Sequence, residues 1–231
     1  MNRIYLVRHG ENRANLTKEF SFRLVDYPLT AKGRLQAAQT AEFFREKQIH
    51  AIYSSPLKRA SETAQIIGTA LGLPVTILEQ FREVNVGLLE QQPPTAEAWE
   101  EHNQMIGSWF TGHPERRFPE GENYYELLAR MQKGLSLVLD GLQDRNLIIV
   151  GHGGIFTFTL PDFCPQVTPE DLRYVENHNC SITEILIRSE NGQLQGELAR
   201  YAYHQHLSGE AAELVSGVPK QGELKSRKET K

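Results

Sequence analysis

Apolar and polar positions alternate along this chain in two rhythms. Arg3-Ile4-Tyr5-Leu6-Val7 is an apolar run of strand type that stops at Arg8-His9-Gly10. Residues 12–27 are mixed and predict a loop or short helix. Leu35, Ala38, Ala41, Phe43 and Phe44 then recur at helical spacing up to about Lys47, with Thr30 as N-cap. Ala51-Ile52-Tyr53 reads as a short buried strand ended by Ser54-Ser55-Pro56. The following helix carries Leu57, Ala60, Ala64, Ile67 and Leu71 on one face and stops near Gly72 and Pro74. Val75-Thr76-Ile77-Leu78 is a third strand. Pro93-Pro94 interrupts a less regular stretch, after which helices are predicted over Thr95–Phe110 and Asn123–Leu142. The most apolar strand, Leu147-Ile148-Ile149-Val150, ends at Gly151-His152-Gly153-Gly154, and a helix runs from Ile155 to Leu160. Ser181–Arg188 and Gln195–Tyr203 read as two strands joined by a hairpin turn at Glu190-Asn191-Gly192.

Strands alternating with helices at this spacing predict an α/β fold, a three-layer α/β/α sandwich around a largely parallel mixed sheet. One domain is expected over 1–205, with a cap or insertion at about 88–121. The polar, lysine- and glutamate-rich composition of 206–231 predicts a mobile tail.

Composition narrows the partners. Over 231 residues the formal net charge is −4, which offers no general attraction to nucleic acid or anionic membranes, so any anion site must be local. No stretch approaches the roughly 18 apolar residues of a membrane span. The two cysteines, Cys164 and Cys180, lack metal-ligand spacing and suit a reducing compartment. With no apolar leader after Met-Asn-Arg, a cytoplasmic location is expected.

In sheets of this kind, ligands bind beyond the carboxyl ends of the strands. Those ends deliver Arg8 and His9, then Lys58 and Arg59, then Glu83, then His152. Two histidines, at least two arginines and one carboxylate suit phosphoryl transfer through a histidine. A neutral imidazole escapes the repulsion that a phosphate dianion exerts on an anionic nucleophile. Arg8 and Arg59 can hold the non-bridging oxygens in bidentate fashion, and His152 can add a further hydrogen bond. Glu83 can protonate the leaving alkoxide and then take a proton from the attacking water; Glu79, four residues earlier, is its competitor for that role. With one good carboxylate in the set, no metal site and no cofactor are implied.

The sequence resembles the histidine phosphatase superfamily, also called phosphoglycerate-mutase-like. The resemblance rests on Leu6-Val7-Arg8-His9-Gly10-Glu11 with Asn15, and on Pro28-Leu29-Thr30 with Gly33 and Gln36-Ala37. It continues through Ser54-Ser55-Pro56-Leu57 with Arg59-Ala60 and Thr63-Ala64, Arg82-Glu83 with Gly87, and Gly151-His152-Gly153-Gly154. It implies the phosphoglycerate-mutase-like fold, His9 as the phosphorylated nucleophile, and Glu83 as proton donor. Arg8, Arg59 and His152 would form the phosphate pocket, with Gly153 beside them and Asn15 as an accessory contact. Family members often carry an aromatic, Glu and Gly after the glycine matched by Gly87; here the stretch is Leu88-Leu89-Glu90-Gln91-Gln92. The short stretch between Gly87 and Gly121, and Pro119-Glu120-Gly121-Glu122, resemble the broad-specificity phosphatase branch. Glu115-Arg116-Arg117 resembles a basic pair by which mutases hold a substrate carboxylate, which makes Arg116 and Arg117 candidate substrate ligands. The expected activity is hydrolysis of small phosphorylated metabolites. A phosphomutase and a non-catalytic phospho-ligand binder are the alternatives, and a homodimer is one option for the assembly.

Overall fold

The strand that carries His9 lies inside the sheet. In the computed structural model, which describes residues 1–173, 175–190, 193–219 and 223–224, the sheet has six strands. These are β1 (Asn2–Arg8), β2 (Ala51–Ser54), β3 (Val75–Ile77), β4 (Asn146–Gly151), β5 (Ile182–Glu190) and β6 (Gln193–Tyr203). Their order is β3-β2-β4-β1-β5-β6; the first four are parallel, and β5 and β6 are antiparallel additions. Leu6 pairs with Ile149 on one side and with Thr183 on the other. Asn191 and Gly192 of the predicted hairpin turn lie outside the described residues.

The helices are α1 (Arg13–Thr17), α2 (Ala31–Phe44), α3 (Lys58–Leu71), α4 (Ala96–Phe110), α5 (Tyr124–Leu139), α6 (Gly153–Phe163) and α7 (Pro169–Arg173). A strand buried on both faces reads as a continuous apolar run, and β1 and β4 show why. Ile4, Leu6, Leu147 and Ile149 pack with Leu127, Met131 and Leu135 of α5 and Ile155 of α6. Tyr5, Val7, Ile148 and Val150 face the other way, against Ala41 and Phe44 of α2 and Ala60, Ala64 and Ile67 of α3. The three-layer α/β arrangement expected from the pattern is therefore present.

Local signals set the helix starts. Thr30 accepts the Gly33 N–H at 3.0 Å, Thr95 accepts from Ala98, and Asn123 forms a capping box with Glu126. Between β1 and α2 the backbone passes so close to itself that a Cβ on Gly10 would lie 2.5 Å from the Gly33 carbonyl oxygen.

Two differences from the sequence reading bear on function. α7 was not predicted, being only five residues long. The described part of the polar stretch after 205 packs against the domain. Leu207 and Ala211 are buried beside Leu29 and Ala37, and the Gln36 side chain donates to the Ala211 carbonyl. A few small apolar residues suffice to seat it, which its polar composition conceals. Residues 220–222 and 225–231 of that stretch lie outside the described residues.

Candidate active site

β1 ends at a histidine whose tautomer is set by its neighbours. His9 Nδ1 lies 2.7 Å from the Gly10 carbonyl oxygen, and Nε2 lies 3.0 Å from Arg59 Nε, which can only donate. The proton therefore sits on Nδ1 and the lone pair on Nε2. The ring is 3% exposed. Burial first, then the guanidinium groups of Arg59 and Arg8, hold its pKa well below the ordinary histidine value. His9 is a neutral imidazole set among cations.

Arg59 enters from the first turn of α3. Its Nη1 and Nη2 donate to the Ser21 hydroxyl at 2.7 Å and the Ser21 carbonyl at 2.8 Å. Burial lowers its pKa to about 10, which leaves it charged at neutral pH. Arg8 donates through Nη1 to the Asn177 carbonyl, while its Nε is buried with no partner. His152, at the end of β4, has its ring 5.2 Å from that of His9 and its Nε2 2.7 Å from Ser55 Oγ. Its pKa is also well lowered, by burial and then by Arg59. His152 Nδ1 and the amide nitrogen of Asn12 are likewise buried without partners. Unpaired buried polar atoms are rare in folded proteins, and several near one imidazole, among cationic groups, could be satisfied by an anion.

Glu83 approaches from the other side. Its carboxylate accepts from the Gly154 and Ile155 amides at 3.1 and 2.9 Å, at the start of α6. A Cβ on Gly154 would lie 2.7 Å from Glu83 Oε1, so the second glycine after His152 makes room for the acid. Arg130 of α5 fixes the segment behind it. Its guanidinium donates to the carbonyls of Gln80, Arg82 and Glu83 and pairs with Glu122 at 2.8 Å.

Arg8, His9, Asn15, Arg59, Glu83 and Gly153 all line one cavity of about 930 Å³. The rest of the lining comes from Phe20, Trp99 and Phe110, and from Phe158 on α6 and Leu172 on α7, while Ser216–Val218 come in beside Arg8, where a Cβ on Gly217 would lie 3.1 Å from Nη1. The Lys18 ammonium donates to the Ser216 carbonyl at 2.8 Å and pairs with Glu223, which ties the late segment to the cavity.

The predicted residues divide clearly. Arg8, His9, Arg59, Glu83 and Gly153 come together on the cavity, His152 is fully buried outside the lining with its ring beside that of His9, and Asn15 joins them through Asn179, whose amide donates to Asn15 Oδ1 and to the His9 carbonyl. Arg116 and Arg117 do not join them. Both are exposed outside the cavity lining, and Arg117 is engaged with the Gly121 carbonyl and Glu126. Lys58 is exposed, one step round the helix from buried Arg59, and Glu79 is an exposed partner of Arg82. His206 bonds to Thr40. Among the described residues no group of three or more His, Cys, Asp or Glu is placed to hold a metal ion.

The sequence reading missed Asn177, Asn179, Ser21 and Arg130. Asn177 and Asn179 precede β5, and because β5 is antiparallel its beginning meets the carboxyl ends of its neighbours. A polar run just ahead of an antiparallel strand was the available signal. Ser21 and Arg130 act through loop backbone and leave no pattern.

Fold and site together define an α/β protein that gathers two buried histidines, two buried arginines and a carboxylate at the carboxyl edge of its sheet. The model of the histidine phosphatase superfamily (branch 1) matches residues 4–197, and the chain belongs to that superfamily, whose enzymes are phosphatases or mutases. Among curated relatives, the probable phosphoglycerate mutase GpmB of Escherichia fergusonii is 35% identical over 191 residues, covering 80% of this chain and 85% of that protein. Among solved structures, YhfR of Bacillus stearothermophilus matches with a TM-score of 0.72 at 24% identity over 89% of this chain and 99% of that one. A mutant phosphoserine phosphatase from Entamoeba histolytica, solved with phosphoserine, matches with a TM-score of 0.71 at 25% identity over 90% and 100%. Among the described residues no helix is long and apolar enough to cross a membrane.

Proposed function

We propose that the enzyme is a phosphomonoesterase of small phosphorylated metabolites, working through a phosphohistidine on His9. The substrate phosphoryl group takes the unpaired donors of Arg8 and His152 and draws the Arg59 Nε–H away from His9 Nε2. That exchange frees the lone pair for in-line attack on phosphorus. As the P–O bond of the ester breaks, Glu83 gives its proton to the departing alkoxide. Glu83 then accepts a proton from water, which attacks phosphohistidine and restores His9 with release of inorganic phosphate.

The observation that favours hydrolysis over isomerisation is the charge of the rest of the lining. Among the described residues it is largely apolar and carries the carboxylates of Glu19, Glu170 and Glu176, the last beside Arg8, and the cation it adds to Arg8 and Arg59, Lys18, is committed to Ser216 and Glu223. A phosphoglycerate brings a carboxylate, and its bisphosphorylated intermediate a second phosphate. Either would be desolvated there without a partner. The mutase reading is kept as the second one because the GpmB relatives are named for it. The cysteines are unpaired and buried, in keeping with a cytoplasmic enzyme.

The test is incubation with 3-phosphoglycerate, with and without 2,3-bisphosphoglycerate, following free phosphate and the 2-isomer, beside a panel of phosphate esters. Phosphate release is expected to outrun isomerisation, and to vanish in His9→Ala. Isomerisation that outruns release overturns the phosphatase reading.

A further inference from the structure

One carboxylate oxygen in this molecule collects four consecutive backbone amides. Glu90 Oε1 accepts from the N–H groups of Phe22, Arg23, Leu24 and Val25 at 2.6, 2.6, 2.9 and 3.2 Å. Glu90 itself is 9% exposed, in a short turn at Gly87–Gln91 anchored by buried Leu89. Successive amides converging on one point make a concave anion site, which here is filled from within the protein.

The loop so gathered begins at Ser21, and Ser21 is the residue that holds Arg59. Its hydroxyl and carbonyl accept from Nη1 and Nη2, which leaves Arg59 Nε aimed at His9 Nε2. The Ser21 hydroxyl also bonds to the Val25 carbonyl, so it is fixed by the same turn. Asp26 closes the loop onto α3 by accepting the Lys58 amide at 2.8 Å. Few other contacts hold the stretch: Arg23 and Leu24 are exposed, and Arg82 reaches the Phe22 carbonyl at 3.3 Å. Without the Glu90 charge, four parallel amide dipoles would face one another across an empty point, and the turn would have no reason to close.

We infer that Glu90 is a positioning residue for phosphoryl capture. Its carboxylate folds the 22–25 turn into a platform that, through Ser21, aims Arg59 at His9. The inference rests on the reading of Arg59 and His9 as the phosphate pocket. It also gives a physical role to the acid in the stretch where this chain departs from the family's pattern. The aromatic and the glycine are absent there, but the carboxylate that the loop requires is present.

The experiment is a double-mutant cycle on the full chain with E90Q, R59K and their combination. The readouts are kcat/KM for p-nitrophenyl phosphate, the Ki of inorganic phosphate as competitive inhibitor, and the thermal midpoint. Gln keeps the shape and one acceptor but loses the charge that four amides share, so E90Q should raise the phosphate Ki about tenfold and leave kcat nearly unchanged. R59K should cost about a hundredfold in kcat/KM, and the double variant should be within about twofold of R59K alone, since Glu90 acts through that arginine. Independent losses multiplying to about a thousandfold, or a wild-type Ki in E90Q, overturn the inference. An R59K enzyme with wild-type kcat/KM would instead overturn the pocket reading beneath it. Ser21→Ala leaves the amide nest intact and guards against general damage to the loop. It should raise the phosphate Ki about threefold at an unchanged thermal midpoint, and an unchanged Ki there also counts against the path.

Discussion

At the His9 end of the cavity, the guanidinium of Arg59 alone makes three directed hydrogen bonds, and its partner residues His9 and Ser21 are each held by a further one, to the Gly10 and Val25 carbonyls. At the far end, Phe110 and Phe158 meet ring to ring at 6.1 Å and direct no polar group at the space between the walls. The phosphoryl group has one geometry and one charge whatever it is attached to, so fixed donors on strand ends and a helix start can be matched to it once. The remainder of the substrate varies, and apolar contact is non-directional. On the proposed function, chemistry is carried by the sheet edge and selection by α4, α6 and α7, while the late segment lies against Arg8.

The largest expected effect concerns the leaving group, where the two ends meet. Glu83→Gln should lower kcat/KM for alkyl phosphates about 10²–10³-fold, because an alkoxide departs poorly without a proton. For aryl phosphates, whose phenolate leaves unaided, the loss should stay within about tenfold. Equal losses on both would remove Glu83 from leaving-group protonation and dissolve the division of labour drawn above. A smaller effect should come from the apolar wall. Phe110→Ala or Phe158→Ala should cost about 1–2 kcal/mol, roughly tenfold, in kcat/KM for an ester with a bulky aromatic body. The Ki of inorganic phosphate should not move, and if it does the two ends are not separable.

The smallest effect is a displacement in pH. His9 and His152 have lowered pKa values, so both imidazoles stay neutral as pH falls through the ordinary histidine value of 6.5. The acid limb of kcat/KM, read against the substrate's own titration, should therefore lie below 6.5. Removing the cation in Arg59→Ala weakens the penalty on imidazolium, so the residual activity should show that limb displaced upward. Because burial is the larger cause, the limb should stop short of 6.5. A limb that does not move would remove Arg59 from the causes of the depression and leave burial and Arg8.

Legibility in the sequence followed burial and direction. β1 and β4 were plain because both faces are covered, which makes every position apolar. Their ends were plain because parallel strands all point their carboxyl ends one way, and that edge carries Arg8, His9, Arg59, Glu83 and His152. Asn177 and Asn179 were hidden because β5 runs backwards, so its start, not its end, reaches the site. Arg59 and Lys58 could not be told apart by position at a strand end; one step of helical phase buries the first and exposes the second. The Arg116-Arg117 pair could not be placed because a basic dipeptide has the same appearance whether it faces a cavity or Glu126. Leu207 and Ala211 were overlooked because two apolar side chains in a polar stretch form no period, yet they bring Ser216 and Gly217 to the cavity.

The central place of β1 has a consequence for biosynthesis. The strand bearing His9 is made well before its neighbours on either side, which begin at Asn146 and Ile182, and before the Asn177 region that covers Arg8. At about 5–20 residues per second, roughly 10–40 s separate the emergence of His9 from that of Ser216. Throughout that interval the nascent chain has its histidine but neither the sheet that aims it nor the low-dielectric surroundings that keep it neutral. The site is thus complete only once the 216–218 stretch has emerged, and a chain stalled before it lacks the full pocket.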